Sequence, residues 1–336
     1  MINTSDSLAT DNRIPLRARA RSLILSHEGV LLIILVASLF VLSTQTDKFL
    51  TTDNLLNQCR LMAEVGLVAL PMTYIIITGG IDLSVGSILG LCAIVLGVAW
   101  KNYGVPLELA IVVCVLTGAL AGAVNGWFIT RVGVPPLIMT LATLALYRGL
   151  AEGISQSRSV RGYPEWFYQF GQGAFYGIPA QLWLLVAALL VTAFVLSRTV
   201  FGRALYAIGH NETGARYSGL PVDRYKMMIY TVSGLMAGLA AFIFVSRVST
   251  TRSDMGTGLE LDVIAAVVLG GTSIFGGTGT IIGTALGVVL IQLLKNGLAL
   301  TGVKGDATIM VIGLVLITSI LITNFARSRQ VSGSRG

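Results

Sequence analysis

The chain has 336 residues, of which 54% are hydrophobic and only 12% charged, with a formal net charge of +7. A soluble globular domain carries about twice that charged fraction, so water is not the principal solvent of this chain. The positive balance does not indicate nucleic acid, because the basic residues are scattered over short segments and no recognition motif accompanies them.

At the N-terminus Arg13, Arg17, Arg19 and Arg21 precede an apolar run from about Val30 to Leu42. That order can be a cleavable signal, but no A-x-A pattern follows, and an uncleaved anchor fits better. Apolar runs of roughly 17 to 25 residues then recur along nearly the whole chain, the length needed to cross a hydrocarbon core as a helix. Backbone groups in lipid must be satisfied within the segment, so each run is expected to be helical. The predicted spans are about 29–46, 60–78, 84–100, 107–130, 137–151, 180–197, 227–246, 261–275, 280–300 and 307–325. The expected fold is an all-α polytopic bundle of about ten transmembrane helices. It comprises a tail at 1–28, a membrane domain at 29–326 and a second tail at 327–336.

An even number of spans puts both termini on one side, and short cytoplasmic segments are enriched in Lys and Arg. With the N-terminus inside, 13 of the 23 basic residues are cytoplasmic, including Arg131, five between Arg198 and Lys226, and Arg327, Arg329 and Arg335. The other side holds the remaining ten together with ten of the 16 acidic residues, which leaves it neutral. The chain is therefore expected in a bacterial inner membrane, multi-pass, with both termini cytoplasmic. Its long connections are a cytoplasmic loop at 198–226 and external segments at about 47–59, 152–177 and 247–260; connections of that length usually have a task.

Arg60 and Glu64 are four residues apart in the second span and are expected to pair. Next come Gly79-Gly80-Ile81-Asp82-Leu83-Ser84-Val85-Gly86-Ser87, at the inner end of that span. Paired glycines allow a tight turn, and Asp82 or Ser84 can accept from free backbone N–H groups to start the next helix. A capped hairpin explains the motif, as does a break lining the inner mouth of a pathway, since irregular backbone at membrane depth is tolerated beside protein or water. Asn125 in the fourth span, and Gln292 and Asn296 in the ninth, suit a pathway for hydroxyl-bearing cargo or interhelical glue. Glycine pairs at Gly118/Gly122 and Gly234/Gly238 are expected to pack helices closely. The aromatics from Tyr163 to Tyr176 fit an interfacial belt or a docking surface for a periplasmic partner.

In the loop from Phe201 to Pro221, Asn211 is a good N-cap and Glu212 favours the positive end of a helix dipole. Gly219 suits the position after the helix, and Pro221 stops it. A two-turn helix from about Glu212 to Ser218 is expected, lying on headgroups or pushed by a soluble partner. Gly270-Gly271-Thr272-Ser273-Ile274-Phe275-Gly276-Gly277-Thr278-Gly279 breaks the chain again on the same side. It lacks the Gly-Lys-Ser/Thr ending of a phosphate loop, so no ATP site is expected in this chain.

Asp82, Glu64, Asp262, Asp306, Lys295 and Arg148 are all placed near span ends, so proton coupling through a buried carboxylate has little support. Three cysteines, Cys59, Cys92 and Cys114, have no metal-ligand spacing, and two histidines, His27 and His210, belong to no catalytic cluster. No catalytic or metal site is expected. The rival to an ATP-driven permease is a secondary transporter or facilitator for a small polar solute; an integral-membrane enzyme or a non-conducting subunit is the remaining alternative.

Three motifs in order, Gly79–Ser87, Gly202–Gly209 with the helix after it, and Ala265–Gly271 followed by Phe275–Gly279, resemble the monosaccharide permeases of bacterial ABC importers. These are the ribose, xylose, arabinose and rhamnose type together with the autoinducer-2 permeases. The resemblance covers nearly the whole chain; Ala69-Leu70-Pro71 and Gly90–Ile94 look most similar to the autoinducer-2 and rhamnose members. It implies a type II importer-like fold and function as the membrane subunit of an importer for a small sugar, working by alternating access. It also implies a second permease copy or related subunit, cytosolic ATPase subunits that bind the ATP and magnesium, a periplasmic sugar-binding protein and membrane lipid as partners. Asn211, Glu212, Thr213, Ala215, Arg216, Gly219 and Leu220 would then couple to the ATPase. Gly79, Gly80, Asp82, Ser84, Asn125, Gln292 and Asn296 are the candidates for pathway or gate, with Gly270, Gly271, Gly276 and Gly277 forming the inner break.

Overall fold

A computed structural model describes residues 27–303 and scattered positions between 307 and 317. Residues 1–26, the tail at 327–336 and most of the expected tenth span at 307–325 lie outside the described residues. The helices run α1 His27–Gln45, α2 Thr52–Ile77, α3 Val85–Lys101, α4 Leu107–Trp127 and α5 Pro136–Ser155. They continue as α6 Glu165–Gln172, α7 Ala180–Arg198, α8 Val200–His210, α9 Glu212–Tyr217, α10 Val222–Val248, α11 Leu259–Leu269 and α12 Ile281–Leu300. Among the described residues seven helices, α1, α2, α4, α5, α7, α10 and α12, are long and apolar enough to cross a membrane. The chain is thus an all-α, multi-pass membrane protein. Four two-residue strands tie the connections: β1 (Val160–Arg161) pairs with β4 (Thr250–Thr251), and β2 (Ala174–Phe175) with β3 (Ile178–Pro179), both antiparallel.

Helices α2 and α3 are buried over most of their length and form the centre. By contrast α1 and α7 turn Phe40, Leu190 and Phe194 outward, as helices facing lipid do when no water drives their burial. Helices α4 and α10 pack backbone against backbone. A Cβ on Gly122 would overlap the Tyr230 carbonyl and lie 3.0 Å from Gly234 Cα, and one on Gly238 would lie 3.0 Å from Val115 Cα. The two expected small-residue pairs are therefore the two sides of one interface.

Several expectations need correction. The fifth span is a full 20-residue helix, opened by Pro136 at its first position, where the missing N–H costs nothing. Helix α2 starts at Thr52, eight residues before the apolar run, so Glu64 sits at its middle rather than near an end. Arg60 does not pair with Glu64. It donates to the Gln172 carbonyl, while Arg247 from α10 holds Glu64 through two bonds of 2.6 and 3.1 Å. Helix α10 likewise begins at Val222, before the predicted 227, and the loop 198–226 carries an additional helix, α8.

The largest correction concerns 247–260 and the eighth span. Residues 251–256 do not stay outside but run along α3. A Cβ on Gly97 would meet Thr251 Oγ1 at 2.6 Å, one on Gly90 the Met255 carbonyl at 2.8 Å, and one on Gly86 would overlap the Gly256 carbonyl. Gly86 to Gly97 is about 16 Å of helix, so the segment descends through roughly half a hydrocarbon core. Arg148 makes that descent affordable in polar terms: its Nη1 donates to the Ser253 and Met255 carbonyls at 2.5 and 2.9 Å. Starting from that depth, α11 needs only 11 residues to reach the other end, where Gly270-Gly271 stops it.

The aromatic segment also turns inward. Tyr163 and Phe167 are buried and stack at 4.7 Å, Trp100 covers Tyr163 at 4.6 Å, and Phe242 meets Phe167 edge-on. Trp166, Phe170, Phe175 and Tyr176 remain exposed as belt or docking candidates, the last two most fully.

Candidate functional site

Helix α9 forms as its sequence dictates. Asn211 Oδ1 accepts from Gly214 N at 2.8 Å, Gly219 takes φ +82°, and Pro221 precedes α10. Ala215 and Leu220 point beneath the helix onto Ile208, Val222 and Tyr225. Thr213, Arg216 and Tyr217 face outward, Tyr217 with 89% of its surface exposed. A chain of charges braces the helix against α10: Lys226 to Glu212 at 2.6 Å, Glu212 to Arg216 at 3.1 Å, and Arg216 to Asp223 at 2.5 Å. Burial alone would push the Glu212 carboxyl up, but the Lys226 and Arg216 cations outweigh it and hold the group below its ordinary value. Glu212 accordingly stays charged at neutral and mildly acidic pH, and its contribution is lost only as pH falls through that depressed value.

Beneath α9 the three resemblance motifs meet. The Ile77 carbonyl at the end of α2 accepts from Gly277 N at 2.9 Å; a Cβ on Gly276 would lie 3.0 Å from both the Gly209 and the Ile77 carbonyls. Tyr206 of α8 donates to the Gly279 carbonyl at 2.6 Å. Gly276 and Gly277 have φ of +85° and +78°, a region that suits glycine alone in so close a turn. Gly270 plays a different part, letting α11 approach Gly283 of α12, while Gly271 turns the chain with φ +89°.

Asp82, Ser84 and Asn125 come together as a buried polar cluster. Asp82 Oδ1 accepts from Ser84 N at 2.9 Å and Ser84 Oγ at 2.6 Å, and Asn125 Nδ2 donates to Ser84 Oγ at 2.8 Å. Among the described residues Asp82 Oδ2, Asn125 Oδ1 and Tyr230 OH have no hydrogen-bond partner, and Ser233 approaches Asp82 without reaching bonding geometry. Gly79 and Gly80 make the turn into this cluster, with Gly80 against Tyr230 OH. All three side chains are fully buried, and their bonds to one another pin the α2–α3 break to α4. Asp82→Ala, which strands the Ser84 donors, should cost about 1–3 kcal/mol. Asp82→Asn keeps an acceptor and should retain most of the stability, as read from the aggregation temperature of the purified protein. Equal damage from both would mean that the negative charge, not the hydrogen bonding, is what matters.

The two remaining candidates separate. Asn296 exchanges two amide bonds of 2.9 Å with Asn54 and acts as glue between α12 and α2. Gln292 lines a cavity of about 440 Å³ between α2, α10, α11 and α12. Sequence reasoning missed the charged lining of that cavity: Glu64, Arg247, Arg252, Asp254, Asp262 and Lys295. The signal was present, since ionisable residues within apolar helices suggest function by default. Span boundaries misplaced by several residues hid it by putting Glu64 near a helix end.

Residues 54–320 match the family described as branched-chain amino acid transport system / permease component. The autoinducer 2 import system permease protein of Yersinia pseudotuberculosis is 37% identical over 310 residues, covering 90% of this chain and 93% of that protein. The ribose import permease protein of Bacillus subtilis is 41% identical over 297 residues, 88% and 90% of the two chains. A further autoinducer 2 permease protein, from Photorhabdus luminescens, is 36% identical over 300 residues. No solved structure matches the chain. With a matched region that takes in the loop 198–226, all three glycine-containing motifs and the cavity, the chain belongs to this family of transport-system permease components.

Proposed function

We propose that the chain is one half of the membrane core of an ATP-driven importer and carries a small sugar, of the ribose or autoinducer-2 kind, into the cytosol by alternating access. The observation that carries this is mechanical. An exposed, capped, charge-braced helix stands on the point where the ends of α2, α8 and the α11–α12 turn bond to one another, so a push on α9 is delivered to three membrane segments at once. A secondary transporter has no need of such a handle.

In this reading α9 and both termini lie in the cytoplasm, and ATPase subunits grip α9. ATP and magnesium are theirs rather than this chain's. A second permease, identical or related, completes the core, and a periplasmic binding protein delivers the sugar. A ligand shifts a conformational equilibrium only through unequal affinity for its states, so the loaded binding protein should favour the outward-facing one and set most of the selectivity. The relatives named for ribose and autoinducer 2 support a sugar cargo, whereas the family description names branched-chain amino acids.

Proteoliposomes containing this chain and its ATPase, with the binding protein added, decide between these readings. Uptake of labelled ribose or autoinducer 2, dependent on ATP and at least tenfold above that of labelled leucine, is expected. ATP-independent uptake would make it a facilitator, and preference for leucine an amino-acid permease.

A further inference from the structure

The cavity beside Gln292 has chemistry of its own. Its six charged residues form three pairs entirely among themselves: Glu64 with Arg247, Asp262 with Lys295, and Arg252 with Asp254. The lining therefore bears no net charge. Gln292 is 94% buried and lines the open space, and its amide makes no hydrogen bond among the described residues. At about 440 Å³ the cavity falls within the range of small-molecule sites, about 300–1,000 Å³.

These features discriminate between ligand classes. An anion or a zwitterion would have to break an ion pair to find a countercharge. A hydroxyl both donates and accepts, so a polyol can bond to the free lone pairs of Glu64 and Asp262 and to the spare protons of Arg247 and Lys295 while both pairs stay closed. The Gln292 amide adds one donor group and one acceptor with no prior partner to lose. Helix α11 begins at the cavity wall with Leu259 and Asp262, halfway along the bundle, because the preceding segment descends along α3. A half-length helix opening onto a cleft that carries charged side chains among apolar ones is an arrangement that lines solute pathways rather than packing lipid.

We infer that this chamber is a binding station for a neutral, hydroxyl-rich solute within the chain, held by Gln292 and the Glu64–Arg247 and Asp262–Lys295 pairs. The inference rests on the sugar-import reading above and adds to it the residues that meet the cargo.

Two variants test it in ATP-driven proteoliposomes: Gln292→Cys, and Gln292→Leu, which keeps the volume but removes the amide. The probes are labelled ribose and autoinducer 2, with a polar thiol reagent, and unreplaced cysteines in the original chain serve as the labelling control. Gln292→Cys is expected to react, to be shielded at least threefold by the sugar that the unaltered importer carries, and to stop transporting once labelled. Gln292→Leu should reduce uptake at least tenfold while the amount of assembled complex stays constant. If Gln292→Cys does not assemble, Thr257→Cys on the same wall takes its place with the same expected result. An unaltered importer that carries sugar, combined with unreactive or unshielded cysteines and normal uptake by Gln292→Leu, would overturn the station and leave the import reading standing. An importer that carries neither probe would overturn both.

Discussion

Arg216→Glu is expected to abolish co-purification of the ATPase and to reduce sugar uptake at least tenfold, while leaving the permease in the membrane in normal amount. The local cost supports that separation. Arg216 and Glu212 are 46% and 38% exposed, and exposed ion pairs are worth only about 0.2–1 kcal/mol each. Losing two such pairs, and gaining repulsion among Glu212, Asp223 and the new carboxylate, cannot unfold a bundle whose packing under α9 rests on Ala215 and Leu220. What changes is the surface offered to a partner. Tyr217→Ala removes an aromatic group that is almost fully exposed and touches nothing structural, so it should weaken association as well, as a central aromatic of a docking patch does. Deletion of 211–219 should match Arg216→Glu. An undisturbed complex with full uptake in all three would refute the assignment of α9 as the coupling element.

Gly122→Val should prevent the chain from accumulating as folded protein. The added carbons would enter the space held by the Tyr230 carbonyl and the Gly234 backbone. Neither is the tip of a flexible side chain, so whole helices must part. Overpacking of this kind costs about 3 kcal/mol or more, and separating α4 from α10 also disturbs Asn125 and the Asp82 cluster one turn away. Gly149→Val and Gly153→Val on α5 are the matched controls, because a Cβ at either position meets nothing within 4 Å. The comparison is the yield of monodisperse protein after detergent extraction, with Gly122→Val near zero and the controls near the parent level. A normal yield for Gly122→Val would show that the α4–α10 contact is looser than described.

Local chemistry was legible wherever a short stretch specifies its own conformation. The Asn211 cap, the Gly219 stop and the six-residue helix between them are decided by side chains within ten positions of one another, and the structure has them as expected. The glycine pairs were recognisable as packing for the same reason, since a four-residue spacing puts both on one face. Hydropathy located α1, α3, α4, α7 and α12 closely because each run matches the membrane thickness.

It failed at α2 and α11. Polar residues Thr52 to Arg60 look like a loop, yet they extend the helix because α2 continues past the apolar zone and finds partners such as Asn296 for Asn54. The apolar run 261–275 promises a whole span, but its preceding segment has already sunk along the glycines of α3.

By itself the sequence determined a membrane-embedded, helical, multi-pass chain with a capped stub between long spans, because solvent preference, helix periodicity and capping are properties of neighbouring residues. Only the tertiary structure decided that Glu64 answers to Arg247, 183 positions away, that three glycine-rich breaks share one floor, and that a neutral chamber opens beside Gln292. Those outcomes depend on the depth at which each segment crosses the bundle. Depth is set by backbone contacts between helices, which no local pattern of residues records.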